Sequence, residues 1–239
     1  MTVAYDGTDF HGWQRQPDLR TAQGELERAL GETLGTPITT VAAGRTDRGV
    51  HARGQVVSFR AGTTLPARAL VPLVGRHLPA DLAARDAAET GAEFDARRSA
   101  IGRRYVYRLL DQDDPLWRRY AWHPTRPLDP AGLARATGPL VGEHDFASFE
   151  ASGSSPTATV CRLSRADWRR WETGWMLELV ADHFLYHMVR NIVGTALAVM
   201  REPDPGAAMR VVLDARRRGA AGATAPPAGL CLEEVLYPS

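Results

Sequence analysis

The sequence contains no lysine; its 29 basic residues are all arginine. That excludes a Schiff-base lysine, a Walker A lysine and a kinase-type lysine. Positive charge must be presented as guanidinium, which binds phosphate bidentately and stacks on bases. Cysteine is scarce: Cys161 and Cys231 lie far apart with no C-x-x-C. A disulfide framework or a cysteine zinc site is not expected, and a reducing cytoplasm is. No apolar run is long enough to span a membrane. The opening Met1-Thr2-Val3-Ala4-Tyr5 lacks the charged start and apolar stretch of a signal peptide. Also missing are G-x-S-x-G, a phosphate loop, and G-x-G-x-x-G after a strand.

What is present suits one large or two small α+β domains. The 239 residues are 44% hydrophobic and 24% charged, as in ordinary soluble proteins. A formal charge of +1 names no partner, but its distribution is uneven. Arg97, Arg98, Arg103, Arg104 and Arg108 occur with no acid among them. Acids collect elsewhere, at Asp111, Asp113 and Asp114 and at Glu233 and Glu234. Segregation of this kind gives a basic face for nucleic acid or phosphate, and a solvated, salt-bridged surface is the even competitor.

Along the chain, Thr21 caps a helix from Ala22 to Leu34 that Gly35 stops. Ile38 to Ala42 and Gly54 to Phe59 are expected strands, and Leu65 to Leu73 a helix. Arg104 to Leu110 alternates, with Tyr105, Tyr107 and Leu109 on one face. Ala131 to Leu140 is helical, and residues 152–157 form a Ser/Gly/Pro loop. Val160 to Trp168 and Trp175 to Ala181 make a hairpin, and Leu230 to Tyr237 a last strand. A seam near residues 90–93 divides the chain into 1–92 and 93–239.

Two stretches carry the chemistry. In Ala43-Gly44-Arg45-Thr46-Asp47-Arg48-Gly49, a lone acid sits in an arginine-rich loop bracketed by glycines that permit unusual backbone and close approach. The second is a helix expected from His183 to Met200 with Asp182 as its cap. Its broad apolar side includes Met188, Ile192 and Ala196, and His183, His187, Arg190 and Gly194 fall on a narrow opposite stripe. His183 and His187 have metal-ligand spacing, but Phe184 stands where the zinc-protease motif has Glu, and no third ligand is evident.

These residues resemble the tRNA pseudouridine synthases of the TruA type. The likeness runs through Tyr5-Asp6-Gly7-Thr8 with Gly12-Trp13-Gln14, then Gly44-Arg45-Thr46-Asp47 with Gly49-Val50-His51-Ala52. It continues in Phe94-x-Ala96-Arg97 with Arg104-Tyr105-x-Tyr107, and in Gly142-x-His144-Asp145-Phe146. It ends in His187-Met188-Val189-Arg190-Asn191 and Thr224-Ala225-Pro226-Pro227. The resemblance implies two α+β domains with antiparallel or mixed sheets flanked by helices, and an active-site cleft between them. It implies a homodimer that makes pseudouridine at tRNA positions 38–40 with no metal or organic cofactor. It matches Asp47 to the catalytic aspartate, Tyr105 to the base-stacking tyrosine, Arg190 to the active-site arginine and Arg45 to an RNA contact.

The reaction breaks the C1′–N1 bond, turns the base over and joins C5 to C1′. A carboxylate can attack C6 or act at the sugar, and both routes remain open. A guanidinium beside it opposes the protonation that burial favours. The target base must leave its stack. Two other readings compete: an RNA-binding module without chemistry, and a metal-dependent hydrolase using His183 and His187.

Overall fold

A computed structural model describes residues 1–151, 153 and 158–238 of the 239. In chain order the elements are β1 (Thr2–Tyr5), α1 (Ala22–Leu34), β2 (Val41–Ala42), β3 (His51–Ser58), α2 (Ala67–Gly75) and β4 (Leu82–Asp86). There follow β5 (Gly102–Leu110), α3 (Pro130–Thr137), β6 (Gly142–Asp145), β7 (Val160–Trp171), β8 (Gly174–Ala181), α4 (Met188–Val199), α5 (Pro205–Asp214) and β9 (Leu230–Leu236). The class is α+β. The expected loop at 152–157 lies outside the described residues except for Gly153. Among the described residues no helix is long and apolar enough to cross a membrane. The chain forms two compact units: residues 1–101 with 231–239, and residues 102–230.

In the first unit the strands run β4-β1-β3-β9, with β2 paired to β3. β1 is antiparallel to β3 and to β4. β9 is parallel to β3, through His51↔Cys231 and Ala52↔Leu232. The helix α1 starts where the Thr21 side chain accepts the Gly24 N–H and ends where Gly35 turns left-handed at φ 69°. Its buried stripe of Ala22, Leu26, Ala29 and Leu30 follows the 3.6-residue period.

The strand expected over Ile38 to Ala42 is shorter, only Val41–Ala42. The Thr40 N–H is taken by the carboxylate of Glu27 on α1 at 2.8 Å and is lost to a ladder. Conversely β3 begins three residues before the expected Gly54. His51 and Ala52 find strand partners in β9 and β1, a non-local pairing that local pattern does not show.

In the second unit β5-β8-β7-β6 pair antiparallel throughout. The expected hairpin is β7–β8, longer than its pattern and closed at Trp171↔Gly174. Trp168 on β7 donates its indole N–H to Thr137 of α3 at 3.1 Å. Arg104 on β5 and Arg165 and Arg169 on β7 converge on Glu178 of β8 at 3.3, 2.7 and 3.2 Å. Burial raises the Glu178 pKa, but the Arg165 hydrogen bond and the charges of Arg169 and Arg104 outweigh it and hold the carboxyl below its ordinary range. This stabilisation is complete above the unfolded-state pKa and is lost as pH falls through the folded-state one. Glu178→Gln is expected to lower stability by about 1–2 kcal/mol at neutral pH, because the arginines are half exposed and regain water. Urea unfolding measured at neutral and acid pH checks this, and the difference between wild type and variant should shrink in acid.

The helix expected over His183 to Met200 is corrected at its start: α4 begins at Met188. Asp182 does not cap it. Its Oδ1 accepts the N–H of His183 at 2.6 Å and that of Arg162 at 3.1 Å, tying the end of β8 to β7. His187 then takes a left-handed conformation, φ 61°, immediately before the helix. His183 and His187 therefore share no helical stripe.

Candidate active site

The Asp47 loop is built from the residues around it. Its base is pinned where the Ala43 N–H donates to the Val56 carbonyl at 2.9 Å and the buried Gln55 amide to the Gly44 carbonyl at 2.7 Å. Its middle is pinned by Thr46, whose hydroxyl pairs with the Tyr5 hydroxyl at 2.7 Å and whose carbonyl accepts the Trp13 N–H at 3.0 Å. Thr46 is buried, whereas Arg45 is exposed and Asp47 half-buried. One inward side chain thus anchors the loop between two less buried neighbours. The loop closes in a turn, the Val50 N–H donating to the Asp47 carbonyl at 3.1 Å, with Gly49 at φ 79° in the third position. Of the two bracketing glycines, only Gly49 needs its conformational freedom. A Cβ on Gly44 would meet nothing within 4 Å, so Gly44 leaves open space instead.

The segment from Asp6 to Trp13 braces this loop from the side. Gly12, at φ 88°, packs so closely that a Cβ there would lie 2.9 Å from the Thr46 carbonyl. A Cβ on Gly7 would lie 2.0 Å from the Val50 carbonyl. The Gly7 N–H donates to Nδ1 of His51 at 3.0 Å. Beneath lies an aromatic cluster in which Tyr5 stands 6.2 Å from Phe10 and 5.8 Å from Trp13, centroid to centroid. Arg20 covers Phe10 at 4.2 Å and grips Asp81 with both guanidinium ends. These supports make the acid's position a property of the fold rather than of a free loop.

Arg190 lies in the first turn of α4, where the helix dipole is unfavourable for a cation by about 0.3–1 kcal/mol. The cost is offset by the Ala225 carbonyl, which accepts Nε–H at 2.7 Å, while the Ala225 N–H returns to the Arg190 carbonyl at 3.1 Å. A guanidinium at a helix N-terminus is a strongly electropositive place for a carboxylate or phosphate. The loop that holds it is fastened by buried Asn191, whose Oδ1 accepts from Thr224 at 2.7 Å and from Arg218 at 3.1 Å. Thr195 adds a bond from the Gly222 N–H at 2.9 Å. Tyr107, its pKa driven up by burial against the opposing charge of Arg190, donates to the Pro226 carbonyl at 2.8 Å.

Tyr105, on the same face of β5 as Tyr107, is 9% exposed and meets Phe184 edge to face at 5.0 Å. Arg45 and Asp47 thus belong to the first unit, and Tyr105 and Arg190 to the second.

The histidine pair of the sequence is replaced by another group. His183 Nε2 lies 3.3 Å from the sulfur of Cys161, and its Nδ1 lies 3.0 Å from Asp182. The order Cys–His–Asp is that of a nucleophilic triad, but the chemistry is not. Burial, with the charges of Asp182, Asp145 and Glu150, pushes the Cys161 thiol up to about 12, so it stays protonated at neutral pH.

Sequence reasoning missed Asn191, Ala225 and the Tyr5–Thr46 pair as supports. All lie inside or beside the quoted motifs, and the signal was that these short blocks carry more specific residues than a turn or a cap requires.

A family model described as tRNA pseudouridine synthase matches residues 1–97 and 136–238. The chain is 43% identical to the tRNA pseudouridine synthase A of Moorella thermoacetica, covering 99% of this chain and 98% of that protein. It is 41% identical to the enzyme of that name from Syntrophotalea carbinolica, covering 99% and 95%. With that of Thermoanaerobacter sp. the identity is 38%, covering 99% and 98%.

Proposed function

The chain belongs to the tRNA pseudouridine synthase family, isomerases that convert uridine to pseudouridine in tRNA, and we propose that it acts in the anticodon arm, at positions 38–40, with Asp47 as its nucleophile. The observation that carries the assignment of Asp47 is its bracing: buried Thr46, Gly12 and Gln55 hold the backbone on either side of this half-buried acid.

In this reading the ionised Asp47 attacks the flipped uridine at C6 or at C1′. The C1′–N1 bond breaks with its electron pair on the base, the base turns over, and C5 bonds to C1′. The bond to Asp47 breaks to return the carboxylate, and C5 loses the proton that balances the one gained at N1. Arg190, a guanidinium at a helix N-terminus, is the active-site arginine of this reading and offers its charge to the anionic substrate. Tyr105 offers its ring to the uracil, and Arg45 holds a flanking phosphate. No redox or hydrolytic partner enters, because the product is an isomer of the substrate. The same proposal includes a cytoplasmic homodimer, checked by light scattering against a 26.1 kDa subunit.

Incubation with unmodified tRNA in EDTA, followed by mapping of pseudouridine, tests the site. Product at 38, 39 or 40 is expected; product confined to another arm would overturn the placement. Tyr105→Phe is expected to retain turnover within about three-fold, since it keeps the ring, whereas Tyr105→Ala lowers kcat/KM by roughly ten- to hundred-fold. Abolition of turnover by Tyr105→Phe would instead give the hydroxyl a direct part.

A further inference from the structure

The proposed isomerisation uses neither Cys161 nor His183, yet the fold brings them together from distant parts of the second unit. Cys161 lies on β7 and is 1% exposed. His183 follows the end of β8. The sulfur is 3.3 Å from His183 Nε2. The same nitrogen lies 3.2 Å from the Ala158 carbonyl oxygen. On the other side of the ring Nδ1 faces Asp182 Oδ1 at 3.0 Å, and that oxygen is itself held by the backbone N–H groups of Arg162 and His183. The sulfur, a ligand nitrogen of His183 and a carboxylate oxygen of Asp182 all lie within 4.8 Å of one another.

The ring's hydrogen-bonding arithmetic leaves room for a cation. A neutral imidazole carries one N–H. With Nδ1–H given to Asp182, Nε2 presents a lone pair, and its two neighbours are a carbonyl oxygen and a sulfur. Without a metal the thiol S–H fills that lone pair; a cation that displaces the thiol proton would meet the sulfur, the nitrogen and the carbonyl oxygen together. A carboxylate holding the far nitrogen of a histidine is the arrangement that orients metal-ligating imidazoles and raises their basicity. A sulfur-to-nitrogen spacing of 3.3 Å is close to that set by Zn–S of about 2.3 Å and Zn–N of about 2.0–2.1 Å at a tetrahedral angle.

We propose that Cys161 and His183 bind a thiophilic divalent cation of the zinc type, with the Ala158 carbonyl as a third donor and Asp182 orienting the imidazole. Binding breaks the S–H bond, releases that proton to solvent and forms the metal–sulfur bond; His183 contributes its Nε2 lone pair and no electron is transferred. The ion takes no part in the isomerisation. Its effect is mechanical: His183 immediately precedes Phe184, whose ring stands against Tyr105, so the ion clamps the segment that backs the stacking tyrosine.

The test uses the full chain, stripped with EDTA and titrated with Zn²⁺ by calorimetry and with Co²⁺ by absorbance. One equivalent is expected to bind, with a near-ultraviolet thiolate-to-cobalt band and a rise of a few degrees in Tm. Cys161→Ser and His183→Gln should each weaken binding by at least about ten-fold and abolish the band or the Tm rise. Cys231→Ser and His187→Ala should leave both unchanged. Should Cys161→Ser fail to fold, His183→Gln and Cys231→Ser still decide. No band in the wild type, a band lost with Cys231, or equal zinc affinity in His183→Gln overturns the proposal. Because every readout is binding or stability, these outcomes are independent of whether tRNA is modified.

Discussion

Asp47→Asn is expected to abolish pseudouridine formation, lowering kcat by at least about a thousand-fold, the scale seen when a nucleophile is removed. The amide keeps the shape of the acid but has no anionic oxygen to attack carbon. The loop should survive, because its hydrogen bonds run through Gly44, Thr46 and the Asp47 backbone carbonyl. Affinity for tRNA should stay level or rise slightly, since a negative charge leaves a surface that meets a polyanion. Single-turnover assays with enzyme in excess over tRNA measure the chemical step, and filter binding measures affinity. Turnover at the wild-type rate by this variant would remove Asp47 from the mechanism. Loss of binding together with turnover would make it an RNA contact instead. The binding-module reading made from sequence predicts no pseudouridine from the wild type either, so the same assay separates it.

Gly194→Ala carries the second large effect, on stability and activity at once. A Cβ at this position would lie 1.7 Å from the Ala223 carbonyl oxygen and 2.9 Å from its carbon. Both are backbone atoms, so no side chain can swing aside. Either α4 or the loop from Gly222 to Ala225 must move, at a cost of about 3 kcal/mol. The loop is the softer partner, and it carries the carbonyl that holds the Arg190 guanidinium. Displacing Arg190 by about an ångström is expected to lower kcat/KM roughly a hundred-fold. A lower urea midpoint at constant slope, with reduced turnover, is the expected pair of results. Unchanged stability would mean that helix and loop do not touch as closely as these distances require. Ala196→Gly on the same helix serves as a control: it weakens α4 without moving the loop, so it should cost stability while sparing kcat.

The role of Gly194 also shows where sequence reasoning stopped. Its place on the polar stripe of a helix predicts close approach by something, and the sequence left the partner open. The partner is the chain's own backbone at Ala223, brought there by Asn191, Thr195 and Thr224. Nothing local to Gly194 encodes that meeting. The correction to α4 has a similar cause. The apolar spacing of Leu185, Met188, Val189 and Ile192 continues backward past the true start, because Leu185 is buried although it is not helical. Asp182 looks like a cap by type and position, but Arg162 on β7 competes for its oxygen.

By itself the sequence determined whatever depends on neighbours along the chain. Thr21 and Gly35 bound α1, since a cap and a left-handed stop act within one turn. The β7–β8 hairpin follows from alternation and a glycine at its end. The Gly44-Arg45-Thr46-Asp47 motif singled out the acid that is proposed as the nucleophile. Only the tertiary structure decided which distant groups meet: β9 beside β3, Glu27 taking the N–H of Thr40, Ala225 holding Arg190, and Cys161 facing His183. Such contacts depend on the geometry of the whole packed unit, to which each residue's own period and propensity contribute almost nothing. The loop around Asp47 draws on both: its residues were legible, and the bracing by Tyr5, Gly12 and Gln55 that makes it rigid was not.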